Sequence, residues 1–174
     1  MKFQDIKQFT RENGYEINMP LFLLDDKIKE WVENSYFKLD LNPDFQRGHV
    51  WTMQQQIAFM EYLLKGGKSG RVLYFNKPSW QGRATTPYDD FVIVDGLQRL
   101  TSIIRFLRDE IPVFGFKRSE YEDKIRISHD IRFNINNLQT KAEVLQWYLE
   151  MNTGGTVHTE EEINKVKRLL QEST

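Results

Sequence analysis

Two short stretches carry side chains suited to holding an anion. Asp95-Gly96-Leu97-Gln98-Arg99 follows the apolar run Phe91 to Val94, and Asn42 to Trp51 contains a second Gln-Arg pair, Gln46-Arg47. Each stands between a strand-like segment and a helix-like one. Gly96 permits a tight strand-to-helix turn and close backbone approach. The first N–H groups of a helix have no intrahelical partner, and with an arginine beside them they suit a phosphate. Asp95 is placed either to hold a metal ion coordinated by that phosphate or to cap the helix. If both strand ends open on one edge of a sheet, Arg47 and Arg99 grip one anionic ligand. Charge-assisted hydrogen bonds contribute about 1.5–3 kcal/mol each and a helix terminus up to about 2 kcal/mol. The sum is roughly 5–8 kcal/mol before the costs of association, whereas micromolar binding needs about 8 kcal/mol. A base or sugar must therefore add to the phosphate contacts, with Trp51 or Phe45 the nearest aromatic surface.

Plainer readings fit the same letters. Asp-Gly marks turns, Asp is a common N-cap, and Arg99 in a surface ion pair would contribute only about 0–1 kcal/mol. Asn42 to Trp51 also reads as a Pro-Asp turn with Phe45, Val50 and Trp51 in the core. Other signals fall away on their own terms. Gly66-Gly67-Lys68-Ser69 lacks the upstream glycine of a P-loop, since Tyr62 stands there, and it runs from helix to strand rather than the reverse. It reads as a flexible turn whose Lys68 and the following Arg71 remain able to touch phosphate. Pro43-Asp44 with Glu122-Asp123-Lys124 matches a metal-dependent nuclease core in letters, with two carboxylates holding Mg²⁺, but the separation is long. His49, His129 and His158 are too scattered for a metal triad, although His49 lies inside a site motif and could donate a proton.

The elements that must position these residues alternate irregularly. A short helix near Asp5 to Glu12, ended by Gly14, precedes an extended Tyr15 to Asn18. Leu24 to Asn34 reads as a helix with Asp25 and Asp26 in its first turn and Ile28, Trp31 and Val32 at helical spacing. Phe37 to Leu41 alternates like a half-buried strand. Thr52 is an N-cap for a helix reaching about Lys65, with Ile57, Met60, Leu63 and Leu64 inward, stopped by Gly66 and Gly67. Arg71 to Phe75 is a strand, Lys77 to Asp90 a surface loop, and Phe91 to Val94 a strand buried on both faces. On the helix Leu97 to Arg108, Leu97, Leu100, Ile103, Ile104 and Leu107 share a face. Gln98, Ser102 and Arg105 lie opposite, with Arg99 at the margin. A short strand near Pro112 to Phe116 follows, then one strand or a hairpin across Ile125 to Ile135. Gln139 to Met151 is helical, stopped by Gly154 and Gly155. Thr159 with Glu162 forms a capping box for a last helix, over 159–172. The expected fold is α+β, a small mixed sheet with surrounding helices, in one domain over residues 1–174.

Composition narrows the function classes. With 174 residues, 40% of them hydrophobic, the chain can bury a sizeable core. Its formal net charge of −1 gives no overall pull toward nucleic acid or acidic lipid, which leaves Lys117, Arg118, Lys124, Arg126 and Arg132 as a local basic patch. Without cysteine there is no disulfide, thiol nucleophile or thiolate zinc site. No signal-peptide core or membrane-length apolar run is present, so a cytoplasmic location is expected.

The motif pair, Asn42 to Trp51 and Asp95 to Arg99, resembles the domain at the N terminus of GmrSD-type modification-dependent restriction systems, a family described through an Asp-Gly-Gln-Gln-Arg motif and related to the ParB/sulfiredoxin fold. Met151-Asn152-Thr153-Gly154-Gly155, followed by Thr159 and a Glu-rich helix start, is similar as well, so the likeness runs from about Leu39 to Leu170. The resemblance implies nucleotide binding and NTP hydrolysis in defence against foreign DNA, with motif residues inside 39–155. It carries over Asp95, Gly96, Gln98 and Arg99, and with them Gln46, Arg47 and Asn152, as nucleotide-binding residues. On the hydrolase expectation the catalytic residues are Asp95, Gln98 and Arg99: Arg99 and Arg47 stabilise phosphate charge, Gln98 or Gln46 orients a water, and Asp95 binds Mg²⁺ or caps the helix. A DNA or nuclease partner is expected, and no membrane. A non-catalytic DNA-sensing or protein-interaction module and a Mg²⁺-dependent nuclease are the rival expectations. Leu97 stands where the motif carries its first Gln, which removes a polar group from the helix start. Many relatives carry a downstream HNH nuclease domain that would begin beyond this chain. The expectation is therefore a stand-alone module, a partner subunit or a phage-encoded version that interferes with its relatives.

Overall fold

The computed structural model describes residues 1–6, 8, 10, 14–48, 50–152 and 160–173, with the backbone alone at position 160. A four-stranded mixed sheet lies at the centre, in the order β1-β4-β2-β3. Strand β1 (Tyr15–Pro20) pairs antiparallel with β4 (Asp130–Asn136), β4 runs parallel to β2 (Val72–Asn76), and β2 pairs antiparallel with β3 (Val92–Asp95). Among the described residues five α-helices surround it: α1 (Leu21–Glu33), α2 (Met53–Leu64), α3 (Leu97–Leu107), α4 (Lys141–Asn152) and α5 (Glu160–Glu172). The architecture is the α+β arrangement expected. No helix among the described residues is long and apolar enough to cross a membrane.

Alternation along the strands sorts side chains to two faces. Leu73, Phe75, Ile93, Ile131 and Phe133 form the main core with Leu24, Ile28 and Trp31 of α1, Met60 and Leu63 of α2, and Leu100 and Ile103 of α3. Val92 and Val94 point the other way and pack against Val144, Leu145, Trp147 and Tyr148 of α4 and Val166 of α5. Strand β3 is thus covered on both sides, the reason its sequence is continuously apolar. Its last residue, Asp95, is the point where the polypeptide leaves this double burial.

Several boundaries differ from expectation. Helix α1 begins at Leu21, directly after Pro20, whose φ of −56° is already close to helical. Asp25 and Asp26 therefore fall beyond its first turn, and Asp25 instead accepts a bidentate pair from Arg108, Nη2 to Oδ1 at 2.8 Å and Nε to Oδ2 at 3.0 Å. Val32 is exposed. The Phe37 to Leu41 segment forms a single bridge, Asp40 to Val92, because Lys38 adopts a φ of 47° that breaks the extended run. Residues Pro112 to Phe116 form a tight turn with Phe114 and Gly115 both at positive φ. Of Ile125 to Ile135, the strand takes only the part from Asp130. Ser102 is fully buried, its hydroxyl donating to the Gln98 carbonyl at 2.7 Å. Helix α2 crosses that side of α3, as the Arg105 to Gln56 hydrogen bond at 2.8 Å shows.

Thr52 and Gln55 close a reciprocal capping box at the start of α2. The Lys77 to Asp90 loop is tied down by buried Lys77, whose Nζ meets the Asp89 carboxylate at 2.9 Å. Near the N terminus a 3₁₀ turn covers Phe3–Asp5. Most of the remaining Asp5 to Glu12 helix, the Gly154-Gly155 stop, the Thr159 cap, His49 and His158 lie outside the described residues.

Candidate anion-binding cavity

At the C-terminal end of β3 a cavity of about 400 Å³ opens between the helix layers, within the roughly 300–1,000 Å³ usual for ligand sites. Asp95, Gly96, Gln98 and Arg99 line it from the β3–α3 junction, Gln46 and Arg47 from the loop before α2, and Asn152 from the end of α4. All seven residues selected from the sequence meet there, and its space is not plugged by apolar packing. Trp51, Phe59, Tyr62, Ser69, Gly70, Leu97, Tyr148 and Met151 complete the lining.

Gly96 is required at the junction. Its φ is 105°, and a Cβ there would lie 2.5 Å from Leu73 Cδ2 and 3.4 Å from Arg99 Nη2. The N-cap of α3 is Gly96, which has no side chain to offer, and among the described residues no side-chain hydrogen bond caps the helix. Asp95, expected to be able to cap it, instead forms an ion pair with Arg99 one helical turn on, the two side chains 31% and 18% exposed. Spacing of i, i+4 along the first turn brings them together. Part of the plainer reading of this motif is therefore realised, but as a partly buried pair on a cavity wall.

The glutamines are used differently from each other. Gln98 holds the preceding loop: its Oε1 accepts from Val50 N at 2.9 Å and Trp51 N at 3.1 Å, and its Nε2 donates to Gly48 O at 3.0 Å. Gln46 fastens the loop to the strand end, with Nε2 donating to the Ile93 and Val94 carbonyls at 3.1 and 2.9 Å. The loop is thus bound to β3 and α3 from both sides, and it sets Arg47 and Trp51 at the cavity. Phe45, the alternative aromatic surface, is buried against Tyr148 in the α4 layer. Trp51 lines the cavity and packs edge-on to Phe59, ring centroids 5.6 Å apart.

Arg47 faces Glu162 of α5 at 3.9 Å. Burial pushes the Tyr148 hydroxyl up to about 12; Arg47 opposes the shift, and Glu162 and Asp95 reinforce it. Asn152 Nδ2 donates to the Tyr148 carbonyl at 2.7 Å. Asp95 is the one carboxylate lining the cavity among the described residues, and no group of three His, Asp or Glu side chains able to hold a metal occurs among them.

Other sequence candidates are dispersed. Arg71 is committed to the Gly67 carbonyl, to the Asp130 carbonyl at 2.7 Å and to the Leu63 carbonyl at 2.9 Å, so it serves as a latch rather than a phosphate ligand. Asp44 pairs with Lys141 at 2.6 Å, whereas Asp123 lines a separate apolar cavity with Arg118, Lys124 and Arg126. The nuclease letters therefore share no site. Arg132 lies apart from that basic group, beside Lys68 and Arg71. Phe59, Tyr62, Ser69, Gly70 and Tyr148 were missed from sequence. One signal was available: Phe59 and Tyr62 are aromatics one turn apart on the outer side of α2.

Fold and cavity together define an α+β domain that presents two arginines and a helix start at one end of a mixed sheet. The family model for the N-terminal domain of GmrSD restriction endonuclease matches residues 28–141. The chain belongs to this family of restriction-system domains. Both Gln-Arg segments lie inside the match, while Asn152 and α5 lie beyond it. No curated protein and no solved structure matches the chain.

Proposed function

We propose that the cavity binds a nucleoside triphosphate, as part of a restriction system, and that the triphosphate is hydrolysed there. The observation carrying this reading is the convergence of Arg47 and Arg99, from distant segments, beside the uncapped start of α3. Two guanidiniums hold phosphate oxygens and offset the charge that develops as a phosphoryl group leaves. The outward N–H groups of α3 add to this without moving. Gln46, its amide nitrogen anchored to β3, offers its carbonyl oxygen to an attacking water. Gln98 positions the Arg47 loop. Mg²⁺ suits the site if it enters with the triphosphate, because Mg²⁺ is commonly held through one or two carboxylates plus substrate phosphates, and Asp95 supplies one. When bound it would neutralise phosphate charge.

Calorimetry of the purified chain with each NTP, with and without Mg²⁺, paired with a phosphate-release assay, tests the reading. Arg99→Ala should abolish binding, and NTP affinity equal to that of the unmodified chain would show the site is misplaced. Leu97, packed against the main core, favours a second reading in which nucleotide is bound but not turned over. Binding without phosphate release would make this a nucleotide-sensing module acting on DNA or a nuclease partner.

A further inference from the structure

The arginines, Gly96 and Gln98 account for one end of the cavity. The opposite wall has a different chemistry, built by Trp51, by Phe59 and Tyr62 of α2, and by Ser69 and Gly70 of the turn that follows. Met60 and Leu63 of the same helix are completely buried, yet Trp51 and Phe59 stay partly open and Tyr62 is 43% exposed. Phe59 also packs against the main core, yet part of each ring stays open at the cavity. The turn is fitted closely to them. A Cβ on Gly67 would fall 2.3 Å from the Tyr62 ring, and one on Gly70 would meet Phe59 at 3.4 Å and the Arg99 stem at 3.6 Å. Aromatic wall and phosphate-facing arginine are thus neighbours across a single glycine. Above them, the Tyr62 hydroxyl lies 2.7 Å from Ser69 Oγ and accepts the Ser69 N–H at 3.1 Å. These bonds draw the phenol below its ordinary range, as expected for an oxygen polarised by donors.

We infer that this wall is a nucleobase subsite: a planar heterocycle, joined through its sugar to phosphates held by Arg47 and Arg99, stacks on the Trp51–Phe59 pair with the Tyr62–Ser69 hydroxyls at its edge. The inference rests on the nucleotide reading and deepens it, because it assigns the base its own wall of the cavity and the residues that discriminate between bases. Flat π-faces beside a cationic cleft accept any base by stacking, and the hydroxyl pair supplies hydrogen bonds that differ between bases.

The experiment compares the four NTPs with inorganic tripolyphosphate, by calorimetry on the full chain in Mg²⁺. The favoured NTP should bind roughly tenfold to a hundredfold more tightly than tripolyphosphate, the usual gain for one stacked base. Trp51→Leu or Phe59→Leu should remove most of that advantage and leave tripolyphosphate affinity within about twofold, since neither ring contacts the phosphates in this scheme. Tyr62→Phe deletes only an exposed hydroxyl, so it keeps the fold, checked by circular dichroism, and should change the ranking among the bases. Equal binding of NTP and tripolyphosphate by the unmodified chain would overturn the subsite and leave the phosphate site standing. So would an unchanged ranking in Tyr62→Phe together with equal losses for both ligands in the ring variants. Failure of both ligands to bind would overturn the nucleotide reading itself.

Discussion

Gln98 separates positioning from chemistry most cleanly. Its amide makes three hydrogen bonds to the loop at Gly48, Val50 and Trp51. Each contributes about 0.5–1.5 kcal/mol net, which sums to roughly 1.5–4.5 kcal/mol. Two of the three lie at exposed positions, where water replaces the lost partner, so Gln98→Ala should cost about 1–2.5 kcal/mol. Urea unfolding followed by tryptophan fluorescence measures this directly. The same change removes the tether that sets Arg47, so tripolyphosphate affinity should fall about tenfold, the equivalent of 1.4 kcal/mol. Gln98→Glu retains the acceptor for both N–H groups and should regain much of the stability. It also adds a negative charge to the cavity, so its affinity should stay low. A water-orienting glutamine would behave otherwise: Gln98→Ala would slow phosphate release with affinity intact. Stability within about 0.5 kcal/mol of the unmodified chain, the range of neutral surface changes, together with unaltered binding, would refute the clamp.

Three further outcomes follow from the same geometry. Gly96→Ala should destabilise by about 2–6 kcal/mol, combining a positive-φ penalty of about 1–3 kcal/mol with crowding against Leu73 of about 1–3 kcal/mol; a loss below about 1 kcal/mol in chemical denaturation would contradict it. Glu162→Gln removes the carboxylate facing Arg47 at 3.9 Å, so tripolyphosphate should bind about two- to fivefold more tightly, in line with an ion pair of under about 1 kcal/mol, and weaker binding would mean that Glu162 itself serves the ligand. Tyr148 and Tyr88 both have hydroxyls raised by burial, Tyr148 to about 12. The folded chain then holds protons that the unfolded chain releases near pH 10, so stability is intact below pH 10 and falls as pH rises toward 12. Ultraviolet titration of phenolate in the native chain and in Tyr148→Phe should show one late-titrating tyrosine lost.

Much of the cavity was legible from the letters alone. Asp-Gly after four apolar residues marks where a doubly buried strand must stop, because a carboxylate cannot stay in that layer unpaired. Positive φ at Gly96 follows from the same abrupt change of direction. Two Gln-Arg pairs, each ahead of a helix, suggested one shared site, although the segment before the first pair is not a strand, and Thr52 announced α2. Local rules read these features because capping, turn geometry and burial act within a few residues.

Pairing and partners were another matter. Sequence could not show that Asp95 turns to Arg99 rather than to the helix N–H groups, since both lie within its reach. Nor could it show that Gln98 is occupied by a loop almost fifty positions upstream. Phe37 to Leu41 and Pro112 to Phe116 both read as strands, yet each forms one bridge only, because Lys38 in the first and Phe114 with Gly115 in the second turn to positive φ and break the extended run. Tyr62 and Ser69 gain a place on the cavity only because α2 packs across α3. Chain-local chemistry thus settled where the backbone turns and which groups are charged. Long-range packing settled which groups meet, because contact between distant segments depends on how the helix layers close over the sheet.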